Sequence, residues 1–324
     1  MQETIQPGTK NKASRLFYVD LAKGIMILLV VSGHIIQCYF SRAEKEPLHS
    51  FIYSFHTPLF FLICGYVMGL TQKKLQARSF KQWFLSKVQT LLLPYVVWRL
   101  LVYRFIDPVL PSPFSLDSLI SLVDGSKEGG AWFLGALFCI QVVCYPIFRY
   151  EKLYTWIIPV SFLIVGNLLG GSFFYFNIYH YFGFLFGFII YKYRNYILRT
   201  DVATIALLVF ILSCLIYPNP SILTASAGMV LIYVCQQIDD LQRHSWLSKR
   251  IAEFGLYSLT IYLIHVLIVF PVSNVGIDVS IFRQTPILII CLIIAFGVST
   301  LCVYISKLIE FFPMLNFILF GKKT

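Results

Sequence analysis

The chain alternates between long apolar runs and short polar links. Ten runs stand out, at about 17–40, 51–70, 88–106, 132–149, 153–170, 176–192, 202–218, 220–236, 254–275 and 284–306. Each is close to the ~20 residues a helix needs to cross a ~30 Å hydrocarbon layer. Turn formers separate neighbours, as in Tyr217-Pro218-Asn219-Pro220. The first run does not read as a cleavable signal. It holds Asp20 and Lys23, exceeds the length of a signal core and lacks a small-x-small cleavage site. The pattern predicts an all-α fold, a polytopic membrane helix bundle of about ten transmembrane helices.

Composition narrows the class. Of 324 residues, 58% are hydrophobic and 13% charged, with mean hydropathy +0.76. A soluble domain carries about 25% charged residues. The shortage excludes a soluble globular domain, a disordered chain, a coiled coil and a nucleic-acid binder. Phe 30 and Tyr 20 supply the aromatic weight of interfacial belts. The eight cysteines all fall in apolar runs without Cys-x-x-Cys and read as reduced core residues.

Net charge is +11, so sidedness becomes the next question. With a cytoplasmic N-terminus, 19 basic residues fall in inner segments and 5 in outer ones. That asymmetry predicts that both termini are cytoplasmic. The acids of the outer loop 107–131 (Asp107, Asp117, Asp124, Glu128) agree with it. Residues 1–16 and 307–324 are then cytoplasmic tails around one transmembrane domain, 17–306. Segment 71–87 mixes Phe80, Trp83 and Phe84 with lysines and is expected to lie along the inner surface as an amphipathic helix.

Ionisable groups inside spans are costly and are functional candidates by default. They are Asp20, Lys23, His34, His56, Arg99, His180 and His265. Lys23 and His34 are eleven residues apart, roughly 1100° around a helix, about 20° from three full turns. They share one face, ~16 Å apart along the axis. Asp20 precedes Lys23 by three residues and can pair with it. His56 enters the second span from its outer end and is expected at a depth similar to His34. His180 and His265 read first as helix-to-helix hydrogen bonds. Arg99 either partners a carboxylate or carbonyl or binds an anionic ligand. No metal site is expected, because no carboxylate accompanies His34 and His56 at their depth. There is no Gly-x-Ser-x-Gly elbow, phosphate loop or His-Glu-x-x-His, and no His followed by Asp at a four-residue gap.

Five segments carry a resemblance. They are Asp20-Leu-Ala-Lys-Gly through His34, His56-Thr-Pro-Leu-Phe-Phe through Gly65, Lys87 to Leu-Leu-Pro-Tyr95, Trp132-Phe-Leu, and Gly255-Leu-Tyr-Ser through His265. Together and in this order they resemble the acyltransferase 3 family of integral membrane acyltransferases, closest to its fucose 4-O-acetylase-like group. Many members carry an arginine, ten residues and then a catalytic histidine; here Lys23 and His34 hold those places. The resemblance implies transfer of an acyl group, usually acetyl from acetyl-CoA, to a sugar hydroxyl of a surface glycan or its lipid-linked precursor. It implies His34 as catalytic base with His56 orienting it or the acceptor. Lys23 and Asp20 would meet the donor, with Arg99, Trp132, His180 and His265 as candidate pocket residues. No bound cofactor is implied, and the place is the bacterial inner membrane. A histidine base suits this reaction because a sugar hydroxyl must lose its proton to attack, and histidine titrates near neutral pH. A glycan exporter or lipid-linked sugar translocase remains the alternative on composition alone.

The charge asymmetry makes a direct prediction. In a cysteine-free background, a cysteine placed at residue 78 should resist impermeant thiol reagents in intact cells, while one in loop 41–50 or 107–131 reacts. Labelling of residue 78 from outside would overturn the orientation.

Overall fold

The computed structural model describes residues 16–39, 47–102, 131–168, 177–216, 218–242, 244–270 and 284–322. Tail 1–15, most of loops 41–50 and 107–131, and the acids of the latter lie outside them. Among the described residues, all regular structure is helical. The longest helices fall where the apolar runs predict: α1 (Phe17–Tyr39), α2 (Pro47–Leu70) and, further on, Trp132–Tyr150, Pro220–Asp240 and Gln284–Glu310. Between them lie Ile157–Leu168, Ile178–Lys192 and Thr200–Ile216. Among the described residues, five helices are long and apolar enough to cross a membrane, six when one bent pair is counted as a span. The outer surface is apolar: Ile293 and Leu301 of the last long helix, and Ile205, Leu212 and Leu215 of Thr200–Ile216, are exposed. Exposed apolar area on that scale marks a membrane-facing surface.

Two segments depart from straight helices. The third begins as α3 (Phe80–Lys87), with Ser79 and Gln82 forming a capping box. It continues through π-helical turns at Val88–Leu92 and Trp98–Val102 that flank Leu93–Val97. Such turns re-aim side chains within a helix, here on either side of Pro94.

The expected ninth span, 254–275, is broken. Trp246–Leu256 (α4) and Ser258–Val269 (α5) meet at 86° around Tyr257. The cause is visible in the packing. Gly255 presses on α1, so tightly that a Cβ there would lie 1.7 Å from the Asp20 carbonyl oxygen. Polar contacts hold the corner. Glu253 pairs with Arg250 and, at 2.6 Å, with Lys307, and the ammonium groups of Lys307 and Lys322 lie 5.9 and 5.0 Å from the Tyr257 ring centre.

Close helix crossings organise the core. In lipid there is no hydrophobic drive between helices, so small residues that admit backbone contact do the work. Gly65 of α2 would meet the Phe184 carbonyl oxygen at 1.8 Å if it carried a Cβ, and Gly187 would meet that of Leu62 at 1.9 Å. These two glycines lock α2 against helix Ile178–Lys192. Gly24 would meet the Ile251 carbonyl oxygen at 1.8 Å and, with Gly255, locks α1 against α4.

The chain end is more ordered than a tail. Helix Gln284–Glu310 runs past residue 306, and a further helix, Pro313–Phe320, folds back onto the third segment. Its apolar sequence explains this: Phe320 is buried, Trp98 Nε1 donates to the Leu319 carbonyl at 2.8 Å, and Gln89 Nε2 donates to that of Gly321 at 3.0 Å.

Filling the crossings should be costly. Overpacking a core position costs about 1–3 kcal/mol, and here the neighbour is backbone. Gly187→Val should therefore lower the melting temperature of the purified protein in detergent clearly below wild type. An unchanged melting temperature would contradict the packing described.

Candidate functional site

Helix α1 carries the two polar ends of the site. Near its start, Lys23 Nζ lies 2.6 Å from the Asp20 carboxylate, the i,i+3 pair expected from the spacing. Asp20 is buried and Lys23 half-buried. Lys87, at the end of α3, is also half-buried and makes no hydrogen bond or ion pair among the described residues. Both lysines lie within electrostatic reach of the Cys64 thiol on α2. Arg78 lies within reach of Lys87. Lys23 on α1, Lys87 on α3 and Arg78 in the turn before α3 thus bring positive charge toward one end of the Lys23–His34 stripe. Sequence reasoning placed Lys87 in the amphipathic surface segment and in the Lys87–Tyr95 segment, without a role at the site. Its position at the head of the Lys87–Tyr95 segment was the available signal.

The other end of the stripe holds His34. Its Nδ1 is 2.7 Å from His265 Nε2, a contact between residues 231 apart in the chain. The rings are within 11° of coplanar and their centres are 5.0 Å apart. That separation is close to the N···N distance plus two ring radii, so the rings meet edge to edge. His265 is fully buried and donates from Nδ1 to the Ile261 carbonyl one turn earlier, at 2.8 Å. Phe270 closes edge-on against His34, with centroids 5.8 Å apart. His34 is half-buried, and its Nε2 has no hydrogen bond among the described residues. His265 was expected to form a helix-to-helix bond. It does, and its partner is His34 itself.

His56 sits differently from the expectation. Its Nδ1 donates to the Ile52 carbonyl at 2.8 Å, and Thr57 Oγ1 lies 3.0 Å from its Nε2. It is close enough to His34 to interact electrostatically. The two are not at equal depth. Gly33 faces Ile52 and Tyr53, and the Tyr53 hydroxyl donates to Gln37 at 2.8 Å. His56 therefore lies about one helical turn, ~5 Å, further along α2 than the level of His34. The reason is that α2 begins at Pro47, four residues before the expected start.

The other candidates line up behind His265 as a run of rings. Tyr262 is 6.2 Å from His265 by ring centres and 5.5 Å from Phe133, and its hydroxyl accepts the Phe133 backbone N–H at 3.3 Å. Phe133 lies 4.6 Å from Phe61, which stacks on His180 at 4.6 Å, and His180 stacks on Trp132 at 5.5 Å. So Trp132 and His180 touch each other and connect to the histidine pair through Phe133 and Tyr262. Arg99, on the π-helical turn Trp98–Val102, lies within electrostatic reach of Tyr262 with Tyr95. Tyr262 itself was not among the residues singled out from the sequence. Among the described residues no group of three or more His, Cys, Asp or Glu side chains is arranged to hold a metal.

The chemistry this allows is proton transfer at an imidazole, near a cationic end on the same helix. Apolar helices around a few internally bonded polar groups define an integral membrane protein. The profile of an acyltransferase domain matches residues 16–306, and the chain belongs to that family, acyltransferase 3. It is also similar to two proteins named nodulation protein NolL. The one from Mesorhizobium japonicum is 32% identical over 180 residues, covering 51% of this chain and 47% of the relative. The one from Sinorhizobium fredii is 30% identical over 154 residues, covering 45% and 40%. The matched region is thus under half the length of each relative. No solved structure matches the chain.

Proposed function

We propose that the protein is a multi-pass O-acyltransferase of the bacterial inner membrane, with about ten transmembrane helices and both termini in the cytoplasm. It moves an acyl group, acetyl in the simplest case, from cytoplasmic acyl-CoA to a sugar hydroxyl of a cell-surface glycan or its lipid-linked precursor. The observation that carries this reading is α1 itself. One continuous helix bears a lysine at one end of a stripe and a hydrogen-bonded histidine at the other.

The mechanism follows from the charges. Acyl-CoA is anionic at its nucleotide end, so its phosphates belong beside Lys23, Lys87 and Arg78. Asp20 holds Lys23 in place and reduces the cost of a buried cation. The pantetheine arm then spans the ~16 Å from Lys23 to His34 along the helix, bringing the thioester to the imidazole. His34 removes the proton from the acceptor hydroxyl as its oxygen attacks the thioester carbonyl. The C–O bond forms, the C–S bond breaks, and the departing CoA thiolate takes the proton back from the imidazolium. Proton and leaving group balance without another reactant. The acceptor reaches His34 from the side opposite the lysines, where Trp132, backed by the buried His180 ring, offers a flat ring to a sugar face.

Two substitutions test the reading. A general base contributes about 10²–10⁴-fold, so His34→Ala should cut label transfer from radiolabelled acetyl-CoA by that factor while the protein still inserts. Half of the wild-type rate in the mutant would remove His34 as the base, and a protein that only exports glycan would use no acetyl-CoA at all. Lys23→Ala should weaken acetyl-CoA binding by roughly 1.5–3 kcal/mol, the worth of a hydrogen bond to a charged group, while Lys23→Arg keeps most of the affinity. Normal affinity in folded Lys23→Ala would mean that the Asp20–Lys23 pair serves only to anchor the helix.

A further inference from the structure

We propose that His265 is a positioning residue that sets the tautomer of His34 and so decides which of its nitrogens is basic. The inference rests on the reading of His34 as the base and adds a second residue to it. The argument begins at a backbone carbonyl. The Ile261 oxygen can only accept a hydrogen bond, so the 2.8 Å contact requires a proton on His265 Nδ1. A neutral imidazole carries one N–H, which leaves His265 Nε2 as a lone pair. The 2.7 Å contact to His34 then requires the proton to sit on His34 Nδ1. His34 Nε2 is left unprotonated, without a hydrogen bond among the described residues and in a half-buried side chain. It is the nitrogen an acceptor hydroxyl would meet.

The geometry favours this arrangement strongly. The rings are nearly coplanar and meet edge to edge, so the His34 N–H points along the His265 lone pair. His265 is 0% exposed, and its Nδ1 is tied within its own helix, which prevents the ring from turning over. When His34 takes up a proton at Nε2, the N–H to His265 becomes a charge-assisted bond and strengthens. His265 therefore acts through His34, supporting the imidazolium without touching the substrate. His56 has the same backbone anchor, to the carbonyl four residues earlier, but its Nε2 is met by the Thr57 hydroxyl. The two anchored histidines differ in what the second nitrogen faces, and only that of His265 faces His34.

The direct test reads the tautomer in the wild-type protein. The chain has six histidines, and nitrogen-15 histidine labelling with a His34→Gln control assigns the His34 signals. The expected result is an Nδ1–H, Nε2-unprotonated ring for His34 at a pH where the pair is neutral; an Nε2–H ring overturns the proposal. Kinetics supply the second readout. His265→Leu should lower kcat for acetyl transfer to membranes bearing the acceptor glycan roughly 10²-fold, with KM for acetyl-CoA unchanged. His265→Gln, whose carbonyl oxygen can accept from His34, should recover most of that loss. In a His34→Ala background, His265→Leu should cost nothing further, because residues acting as a unit are non-additive. A full additive loss, or a Leu variant as active as wild type, overturns the positioning role. Retained activity in His34→Ala would instead overturn the base assignment, while the tautomer measurement would stand on its own.

Discussion

A polar group carried into a lipid environment has to be satisfied inside the protein, because no water is there to do it. That constraint explains the bonds at the centre of this structure. His265 and His56 each donate to the carbonyl four residues earlier in their own helix. Lys23 closes on Asp20 within one turn of α1. The Tyr262 hydroxyl takes the Phe133 N–H at the start of Trp132–Tyr150. Each local bond uses up one polar atom and leaves the next with a defined direction. At the His34–His265 pair the result is a basic nitrogen with a single orientation.

Close backbone contact makes that accuracy possible. Gly24 and Gly255 let α1 and α4 touch beside Asp20 and Lys23, so the cationic end is held by main chain as well as by the ion pair. The 86° corner at Tyr257 turns the chain from α4 into α5, and about two turns later α5 delivers His265 to His34. A straight helix through residue 257 would carry His265 elsewhere. The ion pairs around Glu253 and the two lysines over Tyr257 therefore contribute to the site although they lie outside it. The proposed acyl transfer uses both ends of one rigid element, with charge at one and a base at the other.

Local features of this arrangement were legible in the sequence, and long-range ones were not. Apolar runs located the helices, because a run of that length has few other uses. The Asp20–Lys23 pair and the shared face of Lys23 and His34 are set by helix geometry alone. The corner at Tyr257 is carried by no proline; it comes from Gly255 against α1, which requires knowing the neighbour. The partnership of His34 with His265 joins positions 231 apart, and no local spacing encodes it. The depth of His56 was misplaced by a turn because α2 starts at Pro47, ahead of the apolar run that marked it. Lys87 was legible as a charge but not as a second cation within reach of Cys64, since that depends on how α2 and α3 pack.

The central claim is that the donor enters at the lysine end and the acyl group leaves at the histidine end, on opposite sides of the membrane. Sealed vesicles of known orientation test it most directly. Impermeant radiolabelled acetyl-CoA added outside inverted vesicles, whose cytoplasmic face is outward, should label glycan in the lumen in a His34-dependent manner. The same donor outside right-side-out vesicles should label nothing. Labelling from the right-side-out orientation would contradict the account.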